Sequence, residues 1–214
     1  MEIFDISRTL CAELAAWPGD VSFRSERNAS IADGSNVNLS AMQMSLHNGT
    51  HADAKFHFDS SGWTMEQAAL ANYFGPVVVV DLTHLFREGV LPDISVSHLA
   101  AIGEELRAAP RLLLKTNVWR DSAVFPTAIP VVAPEVPEWL RARGVRLLGL
   151  DVPSVDRIDS RDLPNHHSLG AAGICIVESL DLSAAAAGKY QFAGLPLKVA
   201  GGDGAPVRAI LWRE

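Results

Sequence analysis

The run Val77-Val78-Val79-Val80, inside an apolar stretch at residues 76–82, constrains the fold more than any other feature of this 214-residue chain. Consecutive β-branched residues favour an extended backbone, and because side chains alternate between faces, such a strand is apolar on both. It must be covered on both sides. Shorter runs of the same kind occur at residues 112–114, 145–150 and 174–177, and residues 207–212 read as a further strand. Residues 41–46 alternate instead, with Met42, Met44 and Leu46 on one side and Gln43 and Ser45 on the other, as a half-buried strand does.

Helical patterns lie between these runs. Ser97 is placed to cap a helix reaching about Ala108, with Leu99, Ile102 and Leu106 on one face. Pro134 at a first-turn position opens another, through Leu140 and Arg143, and Gly144 stops it. Residues 64–73 form a third candidate, ended near Gly75-Pro76. Strands alternating with helices predict an α/β fold with a mixed sheet. No repeat or linker divides the chain, so a single domain over residues 1–214 is expected. Residues 154–173 lack clear periodicity, and long irregular segments are often functional.

Composition removes several functions. The formal charge is −7 and the 18 Lys and Arg residues are scattered, so no basic stripe is available to neutralise phosphates and no nucleic-acid partner is expected. The two cysteines, Cys11 and Cys175, are far apart, which supports neither a disulfide framework nor a cysteine-type zinc site. The N-terminus carries Glu2 and Asp5 where a signal peptide needs cations, and no apolar run is long enough to span a bilayer. A soluble, cytoplasmic protein without a membrane partner is the expectation. No G-x-S-x-G elbow occurs, which disfavours a serine hydrolase.

The seven histidines are unevenly spread: three of them and an aspartate fall in the eleven residues from His47 to His57. Imidazole nitrogen and carboxylate oxygen are the donors used by catalytic zinc, manganese and related ions. His47, His51, Asp53 and His57 all occupy odd positions, so an extended chain presents them on one side. Full extension would spread the outer pair over roughly 33 Å at ~3.3 Å per residue, so the chain must bend, and Asn48-Gly49 is the natural place. A helical H-E-x-x-H site is rejected, because position 48 is Asn and Asn-Gly makes a poor helix interior. His166-His167 lies in the irregular segment, and the spacing alone does not choose between them. Glu178 ends an apolar strand and needs a partner there: a metal, an arginine or a surface position would each serve. His84 and His98 read as ordinary structural or surface residues.

The run His47-x-Gly49-Thr50-His51-x-Asp53-x-x-x-His57 resembles the signature of the metal-dependent cyclase family, and within it that of the bacterial kynurenine formamidases. The likeness extends to Trp17-Pro18-Gly19-Asp20, to residues 149–156 (Gly-Leu-Asp-Val-Pro-Ser-Val-Asp), and to a histidine twelve residues before Glu178. It continues through Leu195-Pro196-Leu197-Lys198 and Asp203-Gly204-Ala205-Pro206-Val207-Arg208-Ala209. The resemblance implies a swivelling β/β/α architecture, a homodimer, and two divalent metal ions per chain held by His47, His51, Asp53, His166 and Glu178. Asp53 and Glu178 would be the bridging carboxylates, and zinc comes first among the ions, with manganese or cobalt also suited. His57 matches the family's catalytic histidine and Trp17 its substrate-contacting aromatic.

The implied substrate is a small molecule carrying an aryl amide, N-formyl-L-kynurenine, cleaved to L-kynurenine and formate. The alternatives are another amide, lactam or lactone of the isatin type, and a metal-binding protein without catalysis, in which His57 has no task. One departure is Lys55, which stands where the family signature has proline. Proline would fix φ near −65° and stiffen the bend.

Overall fold

A computed structural model describes residues 1–87 and 89–213. In chain order the first strands are β1 (Glu2–Asp5), β2 (Arg24–Ala29), β3 (Leu39–Gln43), β4 (His51–Asp53) and β5 (Phe74–Asp81). Two four-residue helices follow, α1 (Val96–Leu99) and α2 (Glu105–Ala108), then β6 (Arg111–Lys115), α3 (Val136–Arg141) and β7 (Leu147–Leu150). The last elements are α4 (Pro164–Ala171), β8 (Cys175–Glu178), β9 (Gly188–Ala193), β10 (Gly204–Pro206) and β11 (Ile210–Arg213). Nine strands make one mixed sheet in the order β1-β11-β9-β5-β6-β7-β8-β4-β10, while β2 and β3 form a separate hairpin. β5 to β8 are parallel and the outer pairings antiparallel.

The valine run behaves as its composition requires. Val77 and Val79 pack into a core cluster with Tyr190, Phe192 and Leu211, whereas Val78 points to the other cluster, with Leu99, Leu106, Val136, Leu140 and Leu169 of the helices. Truncating a fully buried member such as Leu140 to alanine removes apolar contact and leaves a cavity, a cost of about 2–5 kcal/mol.

Four expectations need correction. The segment 64–73 forms two 3₁₀ turns, Met65–Gln67 and Leu70–Asn72, rather than a helix. Ala68 and Ala69, with ψ of 130° and 98°, are extended between the two turns, and the buried Arg111 guanidinium donates to the carbonyls of Ala71, Asn72 and Pro76, fixing the end of the segment against β6. The helix expected from Ser97 starts earlier, after Ser95, whose amide donates to His98 Nδ1 at 3.1 Å, and it is split by a 3₁₀ turn at Ala100–Ile102. The alternation at 41–46 does not mark a buried face: every residue of β3 is exposed, and among the described residues β3 pairs with β2 alone. The irregular stretch 154–173 contains α4, opened by Pro164 in its first turn and too short for its periodicity to register.

Candidate metal centre

The carboxyl end of the parallel strand β8, the helix α4 that follows β7, and the antiparallel strand β4 with its flanking turns build the site. β4 lies between β8 and β10, so His51 stands across from Glu178 and Asp53 across from Gly204. His51 and Asp53 therefore share one face of a strand, as their parity requires. The other two members arrive differently. His47 sits in the turn at residues 46–50, where Gly49 adopts a φ of +70° and a Cβ would come within 2.7 Å of Leu10 Cδ2. His57 ends a 3₁₀ turn, Lys55–His57. The bend expected at Asn48-Gly49 is present, and a second bend after Asp53 completes the approach.

The five residues singled out as ligands converge. His47 Nδ1 lies 3.0 Å from Asp53 Oδ1, and His51 Nε2 is 3.4 Å from both Asp53 Oδ1 and Glu178 Oε2. His166 Nε2 is 3.4 Å from Asp53 Oδ2 and 3.6 Å from Glu178 Oε1. Their ligating atoms fall into two clusters that share Asp53: His47, His51 and Asp53, and Asp53, His166 and Glu178. His166 is buried at the first turn of α4 and His167 is exposed, which separates the two candidates. Glu178 is buried, and its neighbours are imidazoles and the Val155 amide, so the arginine and surface alternatives fall away among the described residues. His84 and His98 join neither cluster.

The donor set fits divalent cations. Asp53, at 3% exposure, has an Oδ2 with no hydrogen-bond partner, and no Lys or Arg among the described ion pairs reaches either carboxylate. Two buried carboxylates without a cation are costly unless something positive lies between them. Protons take that part in the bare chain. Burial pulls His51 down, but hydrogen bonds and charges from Asp53 and Glu178 prevail and raise it to about 10. Burial also opposes His166, which Asp156, Asp53 and Glu178 raise to about 10. Burial and the neighbouring Asp53 charge push Glu178 up, while Asp53, against its own burial, is held low by the imidazoles of His166, His47 and His51.

The surrounding hydrogen bonds aim these rings. His51 Nδ1 meets the Gly49 carbonyl at 2.9 Å and His166 Nδ1 meets Asp156 Oδ2 at 2.7 Å, leaving both Nε2 atoms facing the carboxylates. Asp156 also accepts from the amides of Asn165 and His166. Asp203 Oδ2 lies 3.2 Å from His47 Nε2 and 3.9 Å from His57 Nδ1. Asp156 and Asp203 carry no apolar signal and no histidine spacing; only their places in the two quoted motifs mark them. His57 is about a third exposed (side chain 32%), and burial followed by the charges of His47 and His166 lowers its pKa, partly offset by Asp53 and Asp203. Lys55 turns to Asp59, with Nζ 3.2 Å from Oδ2, so its cation has a partner outside the cluster.

The imidazole cluster opens on a cavity of about 470 Å³ that Trp17, Trp119 and Phe125 also line. Trp17 packs edge-on against Phe125 at 5.3 Å between ring centroids. The cavity can thus present an aromatic wall and a group of N and O donors to one small molecule.

Comparison with known proteins gives the same direction. The family model described as "Putative cyclase" matches residues 4–157. The kynurenine formamidase of Geobacillus thermodenitrificans (strain NG80-2) is 39% identical over 97% of this chain and 95% of its own. A solved structure of a potential metal-dependent hydrolase with cyclase activity is 26% identical, with a TM-score of 0.80 over 100% of this chain and 98% of the other. Isatin hydrolase A from Labrenzia aggregata, solved with benzyl benzoate, shares the fold with a TM-score of 0.83 at 24% identity, covering 98% of this chain and 93% of its own.

Proposed function

The chain belongs to the cyclase family, and on that premise we propose that it is an arylformamidase, a metal-dependent amide hydrolase converting N-formyl-L-kynurenine to L-kynurenine and formate in tryptophan degradation. The observation that carries this reading is the pair of donor clusters sharing Asp53 beside an aromatic-lined cavity, in a chain related over nearly its whole length to kynurenine formamidases. His47, His51 and Asp53 would hold one divalent ion, and Asp53, His166 and Glu178 a second. Zinc comes first for such a nitrogen and oxygen set, and manganese or cobalt also suits it. Bound there, such ions supply Lewis acidity, polarising the amide carbonyl and bringing the pKa of water down to about 7.

The chain's own residues do the rest. His57, lowered from its ordinary value chiefly by burial, faces the cavity and can accept a proton from the attacking water. As oxygen bonds to the formyl carbon and the C–N bond breaks, the aryl nitrogen leaves with the electron pair, and His57 returns the proton to it. Trp17 offers its indole to the substrate's ring. A homodimer of single-domain chains belongs to the same proposal. It is supported by the β2–β3 hairpin, which exposes Leu39 and Met42 by more than half (56% and 58%) and stands apart from the nine-stranded sheet. Two-stranded hairpins are marginal alone in water. A cytoplasmic location accords with the two free cysteines, and among the described residues no helix is long and apolar enough to cross a membrane.

A second reading is hydrolysis of an isatin-type lactam, favoured by the shared fold with isatin hydrolase A. Parallel kinetics on N-formyl-L-kynurenine and isatin decide between them. The proposal expects kcat/KM to be higher on the formamide; the reverse order would move the activity to lactams.

A further inference from the structure

The loop after β6 forms one wall of the cavity, and it is fastened from outside. It leaves the sheet beneath Asp151, whose buried carboxylate accepts from the Thr116 amide at 3.0 and 2.9 Å, the Thr116 hydroxyl at 2.5 Å and the Asn117 amide at 2.7 Å. Asn117 takes a φ of +55°, which turns the chain toward Trp119. The Trp119 indole is then held on two sides. Its Nε1 donates to the Val124 carbonyl at 2.9 Å, and the Arg8 guanidinium stacks 4.0 Å from the ring centroid.

Arg8 is itself tied to the site. Its Nη2 donates to the carbonyls of Trp119 at 2.9 Å and Asp151 at 3.1 Å. Its amide donates to Thr50 Oγ1 at 2.9 Å, one residue from His51. From Trp119 the aromatic contacts continue to Phe125 at 6.0 Å and from Phe125 to Trp17 at 5.3 Å. The loop carrying Trp17 is joined to this one by the Ala15 amide on the Ser122 carbonyl at 2.9 Å. All three aromatic residues line the cavity, and none of its lining residues is Lys or Arg. The wall offers ring faces and edges without a cation, a surface for a flat aromatic group rather than for an anion.

Resting on the arylformamidase reading, we infer that Trp119 and Phe125 are specificity-determining residues that hold the aryl ring of the substrate. Arg8 is a positioning residue that presets Trp119 from outside the cavity. A guanidinium can stack on an indole and donate in its own plane at once; an ammonium cannot do both, so Arg8→Lys is not a conservative change here.

The test uses Trp119→Leu, Phe125→Leu, Arg8→Met and Arg8→Lys in the metal-loaded protein. KM and kcat on N-formyl-L-kynurenine, the equilibrium Kd of the product L-kynurenine, metal content and Tm are read for each. Trp119→Leu and Phe125→Leu are expected to raise KM and the L-kynurenine Kd about 10- to 100-fold, with the loss falling on KM rather than kcat. Arg8→Met and Arg8→Lys should raise both by similar, smaller factors with metal content retained, and Trp119→Phe should recover most of the affinity. Unchanged KM and Kd in the two leucine variants overturn the assignment. Arg8→Lys matching the parent protein in both constants overturns the positioning role. Phe125 is only half-buried in its loop, so its variant keeps the test open if Trp119→Leu fails to fold. If the parent protein binds L-kynurenine through this wall but does not turn over the formamide, the reaction assignment fails and the aryl subsite stands.

Discussion

Replacing Asp156 by asparagine should damage the metal centre without touching a ligand. Asp156 is buried at 2% exposure and accepts three hydrogen bonds: Asn165 N on Oδ1 at 2.9 Å, and His166 N and Nδ1 on Oδ2 at 3.1 and 2.7 Å. An asparagine keeps the shape but has one oxygen for two sets of donors. With its oxygen toward His166, its NH₂ confronts the Asn165 amide. Flipped, its NH₂ confronts Nδ1, and the imidazole must move its proton to Nε2, the atom that faces Asp53 and Glu178. The first arrangement leaves a buried donor unpaired at about 1–3 kcal/mol, roughly a 5- to 150-fold change in an equilibrium constant. The second blocks a ligand atom. Outer carboxylates on ligating histidines are generally worth about 10- to 100-fold in metal affinity, which agrees. Asp156→Asn is therefore expected to weaken zinc binding by about 10- to 100-fold in competition with a chromophoric chelator. Asp156→Ala, which leaves all three donors without an acceptor, should weaken it further and lower Tm. Affinities within about twofold of the parent in both variants would refute the argument.

Three other outcomes follow from the same geometry. His57→Ala should retain its metal and lose about 10²- to 10⁴-fold in kcat, the usual range for a general acid–base residue; full turnover would remove His57 from the mechanism. Gly204→Ala places a Cβ 2.7 Å from His47 Cε1 and 3.1 Å from the Ala52 carbonyl, and since the carbonyl belongs to a strand, His47 must give way. Lower metal occupancy and a destabilisation of about 1–3 kcal/mol are expected, and parent-like values of both would show that the contact relaxes without cost. His51 and His166 are raised to about 10 in the bare chain, so both carry protons at neutral pH and must release them to bind metal. Titration in weak buffer at pH 7 should release about two histidine protons per loaded chain, plus any from metal-bound water, with apparent affinity rising with pH up to about 10; pH-independent affinity contradicts this.

Much of the fold is written in short-range pattern. The valine run and its shorter counterparts are the parallel strands because β-branched, uninterrupted apolar stretches have few other uses. The helical expectations fare worse where tertiary contacts decide: Arg111 anchors the carbonyls of Ala71 and Asn72 at the end of residues 64–73, and its reach across 39 positions to Asn72 leaves no local mark. At the site, the parity of His51 and Asp53 is legible because one strand carries both. His47 and His57 are placed by turns, and His166 by a helix of eight residues, so their convergence depends on sheet order rather than on spacing. Asp156, Asp203, Arg8 and Trp119 act through side-chain geometry between distant segments, and their residue types alone announce nothing.

In the arylformamidase reading, this chain hydrolyses an aryl formamide with metals held by the Asp53 clusters. The most direct test of that reading is to quantify metal in the purified protein and follow N-formyl-L-kynurenine hydrolysis before chelation, after chelation, and after adding zinc or manganese back. Metal near two ions per chain, turnover abolished by the chelator and restored by the ion, is the expected result. Turnover that survives complete removal of metal would contradict the account.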